Sequence, residues 1–331
     1  MKILKGLLFV AVFATLATLM AIIPTIQNLG ISSLVIAIIL GMVYANTYGP
    51  KLSKEYDAGI TFAAKKVLRF AIVFYGFRIT FGQIADVGME GFLVSLIMLT
   101  STFIIGSYVG IKWFGLDRDT SFLNASGASV CGAAAVLATE SSLKSDSHKA
   151  AIAVSMVVLF GTTALFLYPF LYKLGVFNMS PKEFGIYIGG TVHEVAQVVA
   201  IGGAFGEDVA NNAVIVKMTR VMLIAPMLII LGIYLSKFSK STTKAKLVIP
   251  WFAVYFIGVA GFNSLNLLPI YLVQIINLID TFLLTIAMAA LGIGTNFSKF
   301  KGYAKEAFLA ALVMFAWLVI GGYFVVKLVV N

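Results

Sequence analysis

The stretch Gly185–Gly206, GIYIGGTVHEVAQVVAIGGAFG, places three polar side chains inside an otherwise apolar run. The three are His193, Glu194 and Gln197. A charged residue at the centre of a transmembrane helix costs about 2.5–3.5 kcal/mol, so it persists mainly where it faces a protein interior or a wet cavity. The bracketing pairs Gly189–Gly190 and Gly202–Gly203 weaken the helix, and unwound backbone at membrane depth is tolerated only inside protein or beside water. The stretch therefore predicts an interrupted helix at the core of a transport site, with a polar helix–helix contact as the alternative.

Composition places the chain among the helical integral membrane proteins. Of 331 residues, 60% are hydrophobic and 11% are charged, against roughly 25% charged residues in a soluble domain. The apolar runs are continuous, unlike the short alternating strands of an outer-membrane barrel. The net charge of +10 comes from lysines and arginines in short loops, which indicates membrane topology rather than nucleic-acid binding. The single cysteine, Cys131, excludes an internal disulfide. One cysteine and two histidines are too few ligands for a zinc centre, so we expect no metal site and no cofactor.

Eleven apolar segments predict an all-α polytopic fold. They lie at 7–23, 31–48, 60–82, 89–112, 119–140, 147–173, 182–205, 209–237, 248–265, 271–297 and 303–328, and we name them segments A to K in this order. Segment A follows a lysine-containing start but lacks a small-residue cleavage site, so we treat it as a retained helix rather than a signal peptide. Loops rich in lysine and arginine alternate with loops nearly free of them, which predicts a cytoplasmic N-terminus and an external C-terminus.

Part of the chain is repeated. Without a gap, Ala71–Val109 matches Ala287–Val325 at positions that include Gly76 with Gly292. Segments B–C–D are therefore predicted to recur as I–J–K from the opposite face, as inverted repeats of secondary transporters do. We expect a single transmembrane domain, divided into an N-terminal helix at 1–30, a first repeat at 31–112, interrupted segments at 119–237 and a second repeat at 248–328.

Segments E and G share a shorter similarity, because Ser129–Ala138, SVCGAAAVLA, resembles Thr191–Ala200, TVHEVAQVVA. If both segments cross the membrane, the chain has eleven crossings; if both dip in and return, it has nine crossings and two hairpins, and both alternatives stay open. The glycines permit breaks whose half-helix N-termini attract an anion. The breaks are predicted near Gly127–Gly132 and Gly189–Glu194, and they should meet near the midplane, where protein shields the exposed backbone.

A binding site for a small anion is predicted around these breaks. Segment H adds Lys217 and Arg220, which are three residues apart and share a helical face, although snorkelling to the surface is the alternative for both. Glu194 is the expected partner of these cations, and its protonation, with His193 adjacent, would couple transport to H+ or Na+. Arg78 is interpreted as an interface residue. The predicted substrate-binding residues are Asn124, Ser126, Gly127, Ser129, Gly132, Thr191, His193, Gln197, Lys217 and Arg220, and the coupling residues are Glu194 and His193.

The same residues resemble a known family. The segments SGASVCGAAAVLA, GGTVHEVAQVVA with VKMTRVMLIAP, and IPWFAVYF with LLTIAMAALGIGTNF resemble the YeiH-like family of bacterial membrane proteins, to which the label of sulfate exporter is attached, over nearly the whole chain. That family is similar, more distantly, to the bile-acid symporter and cation–proton antiporter group, whose members cross two interrupted helices at the membrane centre. The resemblance implies an inner-membrane secondary carrier of a small anion, such as sulfate or a related sulfur oxyanion or sulfonate.

The expected partners are a small anionic substrate, a coupling H+ or Na+ and the lipid bilayer, with no nucleic acid, and the sequence permits a homodimer. A channel is one alternative function. An intramembrane hydrolase is another, but the chain contains neither G-x-S-x-G nor H-E-x-x-H, and we do not expect an enzyme.

Overall fold

The computed structural model describes residues 2–28, 32–48, 53–238, 249–295 and 305–330. Regular secondary structure in these ranges is entirely helical, which confirms the predicted all-α class, and each predicted segment contains helix. The helices are α1 Lys2–Ala21, α2 Pro24–Asn28, α3 Ser33–Thr47, α4 Asp57–Phe62, α5 Leu68–Tyr75, α6 Phe81–Lys112, α7 Arg118–Ser129, α8 Ala133–Leu143, α9 Ser147–Lys173, α10 Pro181–Thr191, α11 Val195–Gly203, α12 Glu207–Met222, α13 Ile224–Phe238, α14 Trp251–Ser264, α15 Ile270–Gly294, α16 Lys305–Ala316 and α17 Gly322–Val329. The predicted boundaries at 31, 248, 297 and 303 lie outside the described residues.

Six helical stretches are long and apolar enough to cross a membrane by length and composition. They are Lys2–Ala21, Phe81–Lys112, Ser147–Lys173, Glu207–Leu235, Ile270–Gly294 and Lys305–Val329. In one of them, α12 gives way to α13 at Leu223. Pro226 explains this interruption, because it lacks the N–H that would bond the carbonyl of Met222.

The chain divides into two compact units. The first consists of Met1–Asp86, Ala200–Glu207 and Phe252–Lys301. Within it, α3 runs parallel to the second half of α15. Ser33 Oγ, at the start of α3, lies 3.2 Å from Thr285 Oγ1, and Asn46 Nδ2, near the end of α3, donates to the Thr295 carbonyl at 3.0 Å.

The contact between α3 and α15 is made by backbone. A Cβ added to Gly41 would lie 2.5 Å from the Ala289 carbonyl oxygen, and one added to Gly292 would lie 3.0 Å from the Cα of Gly41. Glycine is required at both positions because only a residue without a side chain lets two helices approach this closely.

The second unit consists of Val87–Val199, Asp208–Trp251 and Gly302–Asn331. It contains the interrupted segment E, in which three residues separate α7 from α8. Lys149 Nζ, in the first turn of α9, lies 2.6 Å from Oδ1 of Asp117, the residue that caps the start of α7. Because three residues link α8 to α9, the end of α8 lies level with the start of α7. α7 and α8 therefore form a hairpin.

The interrupted segment G turns back in the same way. A Cβ on Gly185 would lie 2.8 Å from Asn212 Cβ, and one on Gly189 would lie 2.7 Å from Val216 Cβ. α10 and α12 therefore run side by side in the same direction. α11 begins where α10 ends, and it finishes at Gly203, with three residues left before α12 begins. It must therefore lead back towards the level at which α10 starts, so segment G turns back at its break as a second hairpin.

Both breaks lie where the sequence predicts them, at Val130–Gly132 and at Val192–Glu194. The four half-helices have 12, 11, 11 and 9 residues. At about 1.5 Å per residue they are roughly half as long as the ~30 Å hydrocarbon core is thick. Of the two alternatives for segments E and G, the structure has the hairpins. The inverted repeat, the single-domain arrangement and the membrane orientation stay predictions.

Candidate functional site

The two hairpin breaks share one ammonium group. Lys217, on α12, donates from Nζ to the Val130 carbonyl at 2.8 Å and to the Val192 carbonyl at 2.7 Å. These carbonyls belong to the first and the second break, respectively. The side chain is 0% exposed, so the alternative in which Lys217 snorkels to the surface is wrong. The breaks therefore adjoin each other, as predicted.

Arg220 makes a second set of contacts one turn along α12. Its guanidinium donates through Nη2 to the Ala128 carbonyl at 2.6 Å, through Nε to the Ser129 carbonyl at 2.5 Å and through Nη1 to the Gly190 carbonyl at 2.8 Å. It is also 0% exposed. Arg220 therefore donates hydrogen bonds to the last turns of α7 and α10, the half-helices that precede the two breaks.

Helix chemistry explains why these partners are carbonyls. The last four C=O groups of a helix lack partners inside the helix, and the C-terminal end carries about −0.5 of a charge. A buried carbonyl left unpaired costs about 1–3 kcal/mol. Burying an ion costs several kcal/mol unless polar groups surround it. Lys217 and Arg220 therefore satisfy the ends of α7 and α10, and those ends in turn stabilise the two buried cations.

Glu194 has a different position from the one predicted. No ion pair within 4 Å joins it to Lys217 or Arg220 among the described residues. Its carboxylate instead accepts a hydrogen bond from the backbone N–H of Ala133, the first residue of α8. A helix N-terminus carries about +0.5 of a charge and free N–H donors, so it is a position for an anion. A carboxylate of the chain itself occupies that position.

Gly132 allows this approach. Its φ of 76° is in the left-handed region, which side chains rarely adopt. A Cβ here would lie 2.7 Å from Glu194 Cγ and 2.9 Å from Val157 Cγ1. The glycine is therefore required both for the backbone turn and for the space that Glu194 fills. Glu194 remains partly exposed, whereas its neighbours in the break are buried.

The second break is held by side chains of its own hairpin. Gln197 Oε1 accepts the Glu194 N–H at 3.2 Å, and Thr191 Oγ1 donates to the Tyr187 carbonyl at 2.6 Å. His193 is buried, its ring lies 6.2 Å from that of Phe315, and its Nδ1 has no hydrogen-bond partner in the described part of the chain. These predicted residues do lie at the break, and Nδ1 of His193 is available to a bound group.

The predicted residues of α7 are buried, with their donors already in use. Asn124 Nδ2 donates to the Ala307 carbonyl at 3.0 Å, and the hydroxyls of Ser126 and Ser129 donate to carbonyls one turn back in α7, at 2.9 Å and 3.4 Å. Gly127 packs against Val157. Of this group, Ser129 places its backbone carbonyl at Arg220, and the Asn124 side chain joins α7 to Ala307 of α16.

The charges at the breaks do not cancel. Lys217, Arg220 and Glu194 sum to a formal +1 when His193 is neutral. The four half-helix ends add about −0.5 for each C-terminus and about +0.5 for each N-terminus, and these contributions cancel. The site is therefore buried, positive and suited to an anion. It offers one partly exposed carboxylate that a proton could neutralise.

Sequence reasoning missed a buried ion pair in the first unit. Arg78, interpreted from sequence as an interface residue, lies with its Nε 3.4 Å from Oδ2 of Asp280, a side chain that is 0% exposed. Arg78 Nη2 also donates to Thr281 Oγ1 at 2.8 Å and to the Asn277 carbonyl at 2.5 Å. The one available signal was an aspartate alone in a 25-residue apolar helix, α15.

Comparison with known proteins places the chain among bacterial membrane proteins. The family described as "Conserved hypothetical protein 698" matches residues 5–311. The chain is 50% identical to the inner membrane protein YeiH of Salmonella typhi and to that of Escherichia coli K12, in each case over 96% of this chain and 92% of the relative. It is 46% identical to a membrane protein of Haemophilus influenzae, over 97% of this chain and 95% of the relative. None of these three names states a substrate.

Proposed function

Because the chain belongs to the conserved hypothetical protein 698 family and is a multi-pass inner membrane protein, we propose that it is a secondary transporter of a small anion. Sulfate, a related sulfur oxyanion or a sulfonate is the proposed substrate class, and H+ or Na+ is the proposed coupling ion. The observation that carries the proposal is the buried, positively charged meeting of two broken-helix hairpins around Lys217 and Arg220. Broken helices at membrane depth are the usual binding elements of secondary transporters.

Charge balance favours sulfate together with a proton. With Glu194 ionised, the breaks carry a formal +1, which balances one negative charge. With Glu194 protonated they carry +2, which balances a dianion such as sulfate. Protonation would also remove the carboxylate charge from the N-terminus of α8, and the substrate could then use the N–H donors there. In this proposal Lys217 and Arg220 set the potential of the site, while Glu194 couples proton binding to anion binding.

The experiment is a flux assay on the purified protein in liposomes, after a thermal-shift screen of sulfate, sulfite, methanesulfonate and acetate. We expect saturable uptake of labelled sulfate that is stimulated by unlabelled sulfate on the other side. An imposed pH gradient and an imposed Na+ gradient, applied separately, identify the coupling ion. Glu194→Gln should remove at least about 90% of pH-driven uptake and leave sulfate exchange intact, because the site stays positive but no longer releases a proton.

Glu140→Gln is the matched control, since Glu140 lies on the same hairpin, in α8, away from the break. It should transport like the unchanged protein. Uptake that rises linearly with concentration and shows no counterflow would identify a channel and contradict the proposal. Full pH-driven uptake in Glu194→Gln would contradict the role of that carboxylate in coupling.

A further inference from the structure

An apolar groove lies on the second unit, and none of the residues that line it belongs to a hairpin break. Its volume is about 580 Å³, and it is lined by α6 on one side, by α13 on the other and by Phe122 of α7. The two walls run in the same direction. Ser95 Oγ of α6, before the groove, donates to the Val216 carbonyl of α12. Further along both helices, the ring of Phe122 lies 5.8 Å from that of Phe103 on α6 and 6.3 Å from that of Tyr234 on α13. The groove is thus elongated and lies between two helices that run in the same direction.

The two ends of the groove differ in charge. Its interior is formed by aliphatic and aromatic side chains, among them Ile104 and Ile230, which are 60% and 68% exposed. At one end it is bounded by Lys112, the last residue of α6, and by Arg118, the first residue of α7. Arg118 Nε approaches Asp119 Oδ1 only at 3.7 Å, and both side chains are partly exposed, so this pair does little to neutralise the cation.

Ser107 lines the groove near its charged end. The hydroxyl of Ser107 is buried and has no hydrogen-bond partner in the described part of the chain. Ser107 precedes Lys112 by five residues, about 8 Å along the helix. A ligand that has a hydrogen-bonding group a few ångströms from its charged head group could form a hydrogen bond with this hydroxyl.

We propose that the groove binds an anionic phospholipid. The phosphate contacts Lys112 and Arg118, the ester linkage approaches Ser107 and one acyl chain fills the apolar part. The wall that α6 forms from Leu96 to Ile111 is about 22 Å long, enough to hold an acyl chain across the ~15 Å thickness of one hydrocarbon leaflet. Cations at one end of a chain-length apolar groove match a lipid, which is charged at one end only. Basic pockets between membrane helices bind lipid head groups in this way.

The test measures lipid binding by the full-length protein in mild detergent. Phosphatidylglycerol and phosphatidylcholine with the same acyl chains are added separately, and bound lipids are counted by native mass spectrometry. We expect phosphatidylglycerol to bind at least tenfold more tightly. Lys112→Ala with Arg118→Ala should weaken its binding roughly 10- to 30-fold, because each basic side chain contributes to attraction of an anionic lipid. If that variant cannot be purified, Lys112→Gln with Arg118→Gln replaces it.

Two further variants separate this site from unspecific attraction. Lys65→Ala with Lys66→Ala also removes two neighbouring exposed cations, from the π-helical turn Ala63–Val67 between α4 and α5, and it should change phosphatidylglycerol binding by less than twofold. Ile230→Trp fills the groove and should abolish binding. Equal binding of the two lipids, an equal loss in the Lys65 and Lys66 control, or unchanged binding in Ile230→Trp would overturn the proposal. So would a lipid-free dimer that Ile230→Trp converts to a monomer, because a second copy would then occupy the groove.

Discussion

The two compact units bury positive charge in different ways. In the first unit, Arg78 lies beside the carboxylate of Asp280, a side chain on another helix. In the second unit, Lys217 and Arg220 lie beside five backbone carbonyls and no carboxylate within 4 Å among the described residues. The first arrangement joins two side chains of opposite charge. The second joins side chains to helix ends that exist only because the chain is broken there.

This difference predicts different responses to mutation. A carboxylate partner can be removed together with its cation, which leaves no charge behind. A carbonyl partner cannot be removed by any side-chain substitution, so the unsatisfied group stays in the protein. The first unit should therefore tolerate a neutral double replacement, whereas the second unit should not tolerate the loss of its cations.

The largest effect is expected for Arg220→Ala. The substitution leaves the carbonyls of Ala128, Ser129 and Gly190 buried without this donor, at about 1–3 kcal/mol each. The sum approaches the roughly 5–15 kcal/mol by which a domain is stable. We expect no monodisperse protein by fluorescence-detected size-exclusion chromatography.

Arg69→Ala is the control for Arg220→Ala, because Arg69 is exposed and its guanidinium carbon lies 5.8 Å from the centroid of the Phe252 ring. It should give a normal profile. If Arg220→Ala also gave a normal profile and an unchanged melting temperature, the carbonyl contacts would not hold the hairpins. The comparison between the two units would then fail.

A smaller effect is expected for the ion pair of the first unit. Asp280→Leu leaves Arg78 without its carboxylate and should cost about 3–5 kcal/mol, the usual effect of breaking a buried pair. The double variant Arg78→Met with Asp280→Leu should recover most of the loss, because no unpaired charge remains. Melting temperatures of the two single variants and the double variant, combined as a double-mutant cycle, measure the coupling.

A double-mutant cycle on Arg220 and Glu194 of the second unit is the comparison for the Arg78 and Asp280 cycle. Arg220→Met with Glu194→Leu also removes one cation and one carboxylate, yet it should not recover, since Glu194 is not the partner of Arg220. A double variant of Arg78 and Asp280 as unstable as the worse single variant would contradict the side-chain pairing. Recovery in the Arg220 and Glu194 double variant would contradict the carbonyl pairing.

The smallest of the three effects is expected for Gly132→Ala. Its left-handed φ of 76° and the approach of Glu194 Cγ to 2.7 Å of an added Cβ should together cost about 2–4 kcal/mol. Gly115→Ala is a matched control, since Gly115 has a φ of 66° but no atom within 4 Å of an added Cβ. The difference between their melting temperatures isolates the contact at the break, and equal losses would mean that backbone strain alone acts.

Much of the fold follows from local sequence signals. The sequence predicts segment F at 147–173, and α9 spans Ser147–Lys173, because Asp146 caps the start of a long apolar run. The glycines predict a break near Gly127–Gly132; it lies at Val130–Gly132, and Gly132 has the left-handed conformation that favours glycine. Local composition therefore predicts where helices begin, end and break.

The partners of the buried charges could not be predicted in the same way. A backbone carbonyl has the same chemistry in every residue, so no sequence pattern marks the acceptors of Lys217. Asp280 and Arg78 are 202 positions apart, and apolar periodicity does not indicate which helices meet. The direction of α8 and α11 after each break was open for a similar reason, since hydrophobicity predicts a helix but not its direction.

The ammonium of Lys217 also has a mechanical consequence. Because it bonds the Val130 and Val192 carbonyls at once, neither hairpin tip can swing aside without releasing the other. Separating the two tips would leave the buried ammonium group without at least one of its two carbonyl partners. A carrier built in this way would not gate by lifting one hairpin. It would expose its site by shifting both hairpins together as one rigid body.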